Sequence, residues 1–311
     1  MTKPLIKAKR LSHVGLHCHD VDAQAAFYTQ MVGLGETARD QAGNVYLRCN
    51  ADHHSLVLMP TPPYDDSFST PNDTTEDGAS QDDAKGGADA VMNHVALEVA
   101  DVDAAAEALT QAGIEHEMVT DVELGQGPAV RLRDPDGFVL ELVGPLMQVA
   151  PVYGPRNVQP RHFGHITFRT VDPKVSAEFY QEVLGFRVSD WLGEDFVWLR
   201  CTPEHHGIAI SRHARAPMLH HIAFHVMDMA QLIHQAEYLM HNDRTLLYGP
   251  GRHGPGQNLF IYFHDIEENI VEFAADIQEI WDDETYTPRV WDPNERWSNM
   301  WGPPSLPEFR A

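Results

Sequence analysis

Residues 11–35, LSHVGLHCHDVDAQAAFYTQMVGLG, and residues 163–186, FGHITFRTVDPKVSAEFYQEVLGF, are one pattern written twice. In the first, His13 precedes Tyr28 by 15 residues and Gly33 by 20; in the second, His165 precedes Tyr180 by 15 and Gly185 by 20. The correspondence continues downstream. HHSLVL from His53 answers HHGIAI from His205, and the step of 41 residues from His13 to His54 recurs from His165 to His206. MNHVALEV (92–99) matches LHHIAFHV (219–226), and VRLRDPDGFVLELVG (130–144) matches FIYFHDIEENIVEFAA (260–275). Offsets held across half a chain mark a duplicated unit.

Each unit reads as a strand of alternating polar and apolar residues, a helix opened by a D-P or D-V-D signal, then short β-rich runs joined by turn residues. That is βαβββ, four times: roughly 10–60, 90–145, 160–213 and 216–275. The expected fold class is α+β, with the four modules paired into two domains, 1–150 and 151–280. A linker near 146–160, rich in proline, separates them. Residues 64–90 carry eight acids and one lysine with few large apolar groups, and read as a solvated insertion between modules one and two. The tail, 281–311, holds four of the six tryptophans, which predicts either a packed strap or a lid over a site.

Composition narrows the function. With 46 acidic against 22 basic residues, the formal charge of −24 disfavours nucleic acid and anionic membrane as partners. No apolar run approaches the roughly 18 residues of a membrane span. Three cysteines without a CxxC pair argue against a disulfide framework and fit a reducing cytoplasm. Only five of the basic residues are lysine, a balance that suits a salt-rich cytoplasm as well as an ordinary acidic protein. If salt screening holds the fold together, the melting temperature rises between low and molar KCl; a melting temperature indifferent to salt rejects that reading.

In residues 248–276, YGPGRHGPGQNLFIYFHDIEENIVEFAAD, His253 precedes Tyr262 by nine residues and Tyr262 precedes Glu272 by ten. A hairpin centred on Glu267 makes Tyr262 and Glu272 cross-strand neighbours, with Cβ atoms about 4.5–5.5 Å apart. A lone Glu on a strand usually faces water, and a lone strand His is usually a satisfied core residue. The combination is less ordinary. If paired modules curl round one cavity, His165, His221 and Glu272 face it together, as the two-His-one-carboxylate facial set of a non-haem iron site with open positions.

The whole arrangement, from GHI and LHHIAFHV to GPGRHGPGQNLFIYF and the Tyr-to-Glu spacing, resembles the type I extradiol dioxygenases of the vicinal oxygen chelate superfamily, such as the catechol 2,3- and homoprotocatechuate 2,3-dioxygenases. The resemblance covers nearly all the chain except 64–90. It implies the glyoxalase-like fold, with His165, His221 and Glu272 as ligands of Fe(II), Mn(II) being the alternative metal. It implies His206 as a distal acid–base group and His253 with Tyr262 as hydrogen-bonding partners of substrate. Trp198, Tyr248 and Arg296 would line the substrate pocket. The implied reaction takes a catecholic substrate and O2 to a 2-hydroxymuconic semialdehyde in aromatic-compound degradation, in a cytoplasmic homo-oligomer, dimer or tetramer.

Two departures qualify it. The family turns its last hairpin with a DPDG-like sequence, whereas here it is Asp265-Ile266-Glu267-Glu268-Asn269. Tyr248 stands where homoprotocatechuate enzymes carry an arginine, which favours a catechol without a carboxylate. The first half keeps His13, His54, His94 and Glu141 but has Arg131 ten residues before Glu141 in place of tyrosine. The resemblance makes that half structural and metal-free, with a second metal on His13, His94 and Glu141 the other reading. Two other functions stay open: a non-redox metal-dependent lyase or isomerase of the same superfamily, and a non-catalytic aromatic-ligand binding protein.

Overall fold

The computed structural model describes residues 3–62, 91–120, 123–150 and 158–304. The acidic insertion read at 64–90 and much of the linker read at 146–160 lie outside the described residues.

The four modules are present in chain order. Module one runs β1 (Arg10–Cys18), α1 (Val21–Phe27), a π-helical turn (Tyr28–Val32), β2 (Gly35–Arg39), β3 (Val45–Arg48) and β4 (Leu56–Pro60). Module two runs β5 (Met92–Glu98), α2 (Val102–Ala112), β6 (His116–Val119), β7 (Ala129–Arg133) and β8 (Val139–Val143). Module three runs β9 (His162–Thr170), α3 (Pro173–Glu182), β10 (Arg187–Leu192), β11 (Phe196–Arg200) and β12 (Ile208–Arg212). Module four runs β13 (Met218–His225), α4 (Met229–His241), β14 (Leu246–Arg252), β15 (Leu259–His264) and β16 (Ile270–Ala275), and β17 (Arg289–Trp291) follows in the tail. Each helix starts where an aspartate side chain accepts a backbone N–H of the first turn: Asp20, Asp101, Asp172 and Asp228.

Two sheets result. The first has strand order β2-β3-β4-β1-β5-β8-β7-β6 and the second β14-β15-β16-β13-β9-β12-β11-β10-β17. In each, the first strands of paired modules meet antiparallel at the centre, β1 on β5 and β9 on β13. The alternation read in β9 is not water against core, since residues 163–170 are all buried. Ile166 and Phe168 enter the apolar core, while His165, Thr167 and Arg169 on the other face line a cavity.

The repeated tyrosine and glycine acquire reasons. Tyr28 donates its hydroxyl to Asp265 (3.1 Å), and Tyr180 donates to Asp134 (2.9 Å), so each half's helix ties to a hairpin turn of the other half. Gly33 and Gly185 both take positive φ, +84° and +73°. A Cβ on Gly33 would sit 1.9 Å from the Val158 carbonyl, and one on Gly185 would sit 3.0 Å from the Ile6 carbonyl. Each glycine thus clears a path for the segment leading into the other half's first strand.

The departure at the module-four turn changes the letters and keeps the geometry. Asp134 Oδ1 accepts from the backbone of Asp136 and Phe138, and Asp265 Oδ1 accepts from Glu267 and Asn269 in the same way. Glu268, at φ +65°, takes the left-handed place that Gly137 fills in module two. Asp265 Oδ2 also accepts from Gln24 Nε2 (2.7 Å), Tyr28 and Asn269 Nδ2. Asp265→Ala would strand these donors, two of them on fully buried side chains, and is expected to cost about 3 kcal/mol of stability in urea unfolding. A loss below about 1 kcal/mol would show that this junction does not hold the halves together.

Candidate active site

Three neighbouring strands, β9, β13 and β16, carry the predicted triad. In register, Ala223 on the central strand lies opposite both His165 and Glu272. His221, two residues earlier on the same strand, faces the same side by the period of two. The small Ala223 side chain leaves the space between the three groups open. His165 Nε2 lies 3.2 Å from His221 Nε2 and 2.9 Å from Glu272 Oε2, and His221 Nε2 lies 3.1 Å from that oxygen. Donors about 2.1 Å from one ion stand about 3.0 Å apart at right angles and about 3.4 Å apart at tetrahedral angles. The triangle therefore fits one face of an octahedron.

All three side chains are buried. Burial pushes the His165 imidazole down to about 4, against the pull of Glu272, so the ring is neutral at pH 7. Burial also opposes the Glu272 carboxylate, yet His165 and His221 hold it well below the usual carboxylate range. Neutral imidazoles beside an ionised carboxylate are the forms that bind a cation. Outer contacts fix the ligands: Asn258 Nδ2 donates to Glu272 Oε1 (3.2 Å), and His165 Nδ1 meets His225 Nε2 (3.3 Å). His225 in turn lies 3.4 Å from Glu204, which also meets His162, so this outer His–Glu–His group acts as a carboxylate–histidine support for His165.

The triad opens into a cavity of about 640 Å³ that also brings together His206, His253, Tyr262, Trp198, Tyr248 and Arg296. The His206 ring lies 4.5 Å from that of His165, tilted by 55°, and burial followed by the nearby His165 and His205 holds it well below the usual imidazole range. Its Nδ1 contacts His205 (3.1 Å), which faces Asp190 (3.3 Å), and Asp190 accepts from Trp291 Nε1 (2.8 Å). The tail is thereby built into the site. β17 extends the second sheet beside β10, and Trp297 packs with Trp198, Phe196 and Trp291.

Tyr262 and Glu272 are cross-strand partners, as the hairpin reading expects. His253 donates Nδ1 to the Ser298 carbonyl (2.6 Å), which leaves Nε2 to accept from the Tyr262 hydroxyl (3.0 Å). Tyr248 stacks parallel to Tyr262 at 6.1 Å and donates to the Pro303 carbonyl (3.2 Å). Arg296 donates to the Asn299 (3.3 Å) and Gly302 (3.1 Å) carbonyls, so it ties the tail's backbone as well as bordering the cavity.

Sequence reasoning missed Asn258, His225, Glu204, His205 and Asp190. The doubled letters HH at 205–206 were a signal, since the second histidine of the pair faces the site and the first supports it. Asp190 gave no signal, because only tertiary pairing brings it to His205.

The first-half set needs correction. His13 and His94 do converge, but Glu141 is not their partner. Arg131, its cross-strand neighbour, donates Nε to it at 3.0 Å, and Gln126 donates at 3.2 Å. Glu123 takes the place beside the histidines.

No helix among the described residues is long and apolar enough to cross a membrane. The chain is 27% identical over 282 residues to a manganese-dependent 2,3-dihydroxybiphenyl 1,2-dioxygenase of Geobacillus genomosp. 3, covering 82% of this chain and 81% of that one. It is 23% identical to a metapyrocatechase of Geobacillus stearothermophilus, covering 93% and 88%. Its fold matches a Mn(II)-bound glyoxalase from Novosphingobium aromaticivorans, with TM-score 0.81, 25% identity and coverage of 98% and 94%. It also matches homoprotocatechuate 2,3-dioxygenase from Brevibacterium fuscum in complex with 3,4-dihydroxyphenylacetate, with TM-score 0.82, 22% identity and coverage of 100% and 93%. These relatives agree with the resemblance drawn from the sequence. The family model for the glyoxalase/bleomycin resistance protein/dioxygenase superfamily matches residues 10–142 and 162–273, and the chain belongs to that superfamily.

Proposed function

We propose that the chain is a ring-cleaving dioxygenase of the extradiol type, acting on catechol or a substituted catechol with Fe(II), or Mn(II), at the His165–His221–Glu272 centre. The observation that carries this reading is the meeting of that triad with His206, His253 and Tyr262 in one cavity. The relatives named for dihydroxybiphenyl and catechol cleavage support it. A divalent ion held by these three residues would supply Lewis acidity to a bound catechol and a site for O2.

The chain's own groups prepare the substrate. The Tyr262 hydroxyl, its proton directed to His253, offers its oxygen as an acceptor to a catechol O–H. His206, neutral at pH 7, stands across the triad as the group that gives or takes a proton near the oxygen. Trp198, Phe196 and Tyr248 give the cavity aromatic walls that suit a flat ring. We propose residues 1–150 as the structural domain, 151–280 as the catalytic domain and 281–311 as a tail closing the cavity. A cytoplasmic homo-oligomer, dimer or tetramer, completes the proposal.

A cavity of about 640 Å³ exceeds what bare catechol fills, so a ring substituent is accommodated. Tyr248 and the tail-bound Arg296 favour an uncharged substituent, whereas the buried Arg169 at the cavity wall is the group that would hold a carboxylate. Assaying Fe(II)- and Mn(II)-loaded protein on catechol, alkylcatechols, dihydroxybiphenyl and carboxylated catechols tests this. The expected order places the uncharged rings first, and preference for a carboxylated ring overturns the specificity reading. The Mn(II)-bound glyoxalase neighbour favours a second reading, a non-redox metal-dependent lyase or isomerase, and metal-dependent turnover without O2 consumption would establish it.

The ligand protonation states set a pH limit. At His165, protons compete with the ion as pH falls toward about 4. The metal at this centre is expected to stay bound from pH 8 to about pH 5 and to leave near pH 4, read by elemental analysis after gel filtration. Release near pH 6.5, the ordinary imidazole value, would contradict the lowered His165 value that burial gives.

A further inference from the structure

The first half carries a closed ring of ligand-type side chains of its own. His13 on β1, His54 just before β4 and His94 on β5 stand where the second half has His165, His206 and His221. Glu123, from the loop before β7, faces them. His13 Nε2 and His54 Nε2 each lie 3.0 Å from Glu123 Oε2, and His94 Nε2 lies 3.4 Å from Oε1. The four residues are 0%, 0%, 1% and 7% exposed.

We propose that His13, His94 and Glu123, with His54 beside the carboxylate, form a second metal site for a divalent first-row ion such as Zn²⁺, with a structural role.

The orphaned atoms argue for it first. His13 Nε2, His54 Nε2, His94 Nε2 and both Glu123 carboxylate oxygens are buried without a hydrogen bond of acceptable geometry. Such a concentration of unmet polar atoms is rare in a folded interior, and one cation held by His13, His94 and Glu123 satisfies most of them. Tautomers argue second. Asn93 gives its Nδ2 to His17 Nε2 (3.1 Å), so its Oδ1 accepts from His94 Nδ1 (2.8 Å). With Nδ1 committed to Asn93, Nε2 is the His94 nitrogen that faces the Glu123 carboxylate, where a metal ion would lie. His13 and His54 are likewise engaged through Nδ1, with Ser12 Oγ (3.1 Å) and His53 (3.0 Å), turning Nε2 inward.

Backbone clearance is the third point. Gly15 lies opposite His94 in the β1–β5 register, and a Cβ there would sit 2.6 Å from the imidazole. The histidine-to-carboxylate separations of 3.0 Å for His13 and 3.4 Å for His94 match those of two donors on one ion at right-angle to tetrahedral angles. Arg131, salt-bridged to Glu141, occupies the cross-strand place that Tyr262 holds in the other half. A site closed by four side chains and lacking that tyrosine ties β1, β5 and the Glu123 loop together instead of turning over a substrate.

The test uses the full chain and does not depend on the dioxygenase reading. Glu272→Ala combined with His221→Ala removes the second-half ligands. That variant, folded by circular dichroism, is expected to bind one Zn²⁺ per chain by elemental analysis and calorimetry. Its melting temperature should rise on Zn²⁺ addition, and X-ray absorption should show nitrogen and oxygen neighbours at about 2.0–2.2 Å. Adding Glu123→Ala should abolish binding, whereas adding Glu141→Gln should preserve it. No Zn²⁺ binding and no thermal shift in the folded double variant would overturn the proposal, even if the Glu123 variant fails to fold. Loss with Glu141→Gln but not with Glu123→Ala would overturn the ligand set.

Discussion

Glu272→Ala is expected to lose one metal ion per chain and to cut ring-cleaving turnover by at least about 10⁴-fold, a barrier increase of more than 5 kcal/mol. The carboxylate is the one anionic donor at the second-half centre, it is fully buried, and His165 and His221 both face it at about 3 Å. Without it, two neutral imidazoles must hold a dication, and Asn258 loses its acceptor. Elemental analysis of wild type and variant, purified side by side, reads the metal, and oxygen uptake reads the turnover. A folded variant with undiminished metal content would remove Glu272 from the ligand set. Because the first-half cluster is argued to hold an ion independently, the expected change is a loss of one equivalent, with the first-half ion retained.

Tyr262→Phe should behave differently. The ring fills the same space against His221 and Tyr248, so metal content and fold are kept. The lost hydroxyl is the one fixed by His253, itself locked by the Ser298 carbonyl. If it positions the substrate as proposed, removing it takes away a fixed hydrogen-bond partner, and kcat should fall about 10²-fold. Burial, together with the nearby Glu272, raises the Tyr262 pKa well above its ordinary value, so the hydroxyl stays protonated through the working pH range. Unchanged kcat in the variant would show that substrate is oriented by other groups.

Much of this site was legible before any coordinates. The period of the repeat matched His165, His206 and His221 to His13, His54 and His94, with His165 and His221 on strands and His206 just before β12. The count from Tyr262 to Glu272 placed both on one hairpin, and the structure pairs them. What was legible was register and local geometry, because strand pairing turns spacing into position. The first-half cluster shows the limit. By letters alone, Glu141 matched Glu272, yet Arg131 faces Glu141 and claims its charge. Glu123 replaces it from a loop, where no period predicts direction. The links from His206 through His205 and Asp190 to Trp291 join segments a hundred residues apart, and only the tail's pairing along β10 creates them. The turn at 265–269 misled in the opposite sense, since its letters departed from the family's while Asp265 kept the turn's hydrogen bonds.

The most direct measurement adds catechol to anaerobic Fe(II)-loaded protein, then admits air while following oxygen consumption and near-ultraviolet absorbance together. One O2 consumed per yellow ring-opened product is the result expected from a triad, His206, His253 and Tyr262 sharing one cavity. No colour and no oxygen uptake across catechol, methylcatechols and dihydroxybiphenyl, with metal confirmed at the His165–His221–Glu272 centre, would contradict the dioxygenase reading and turn the site toward non-redox chemistry.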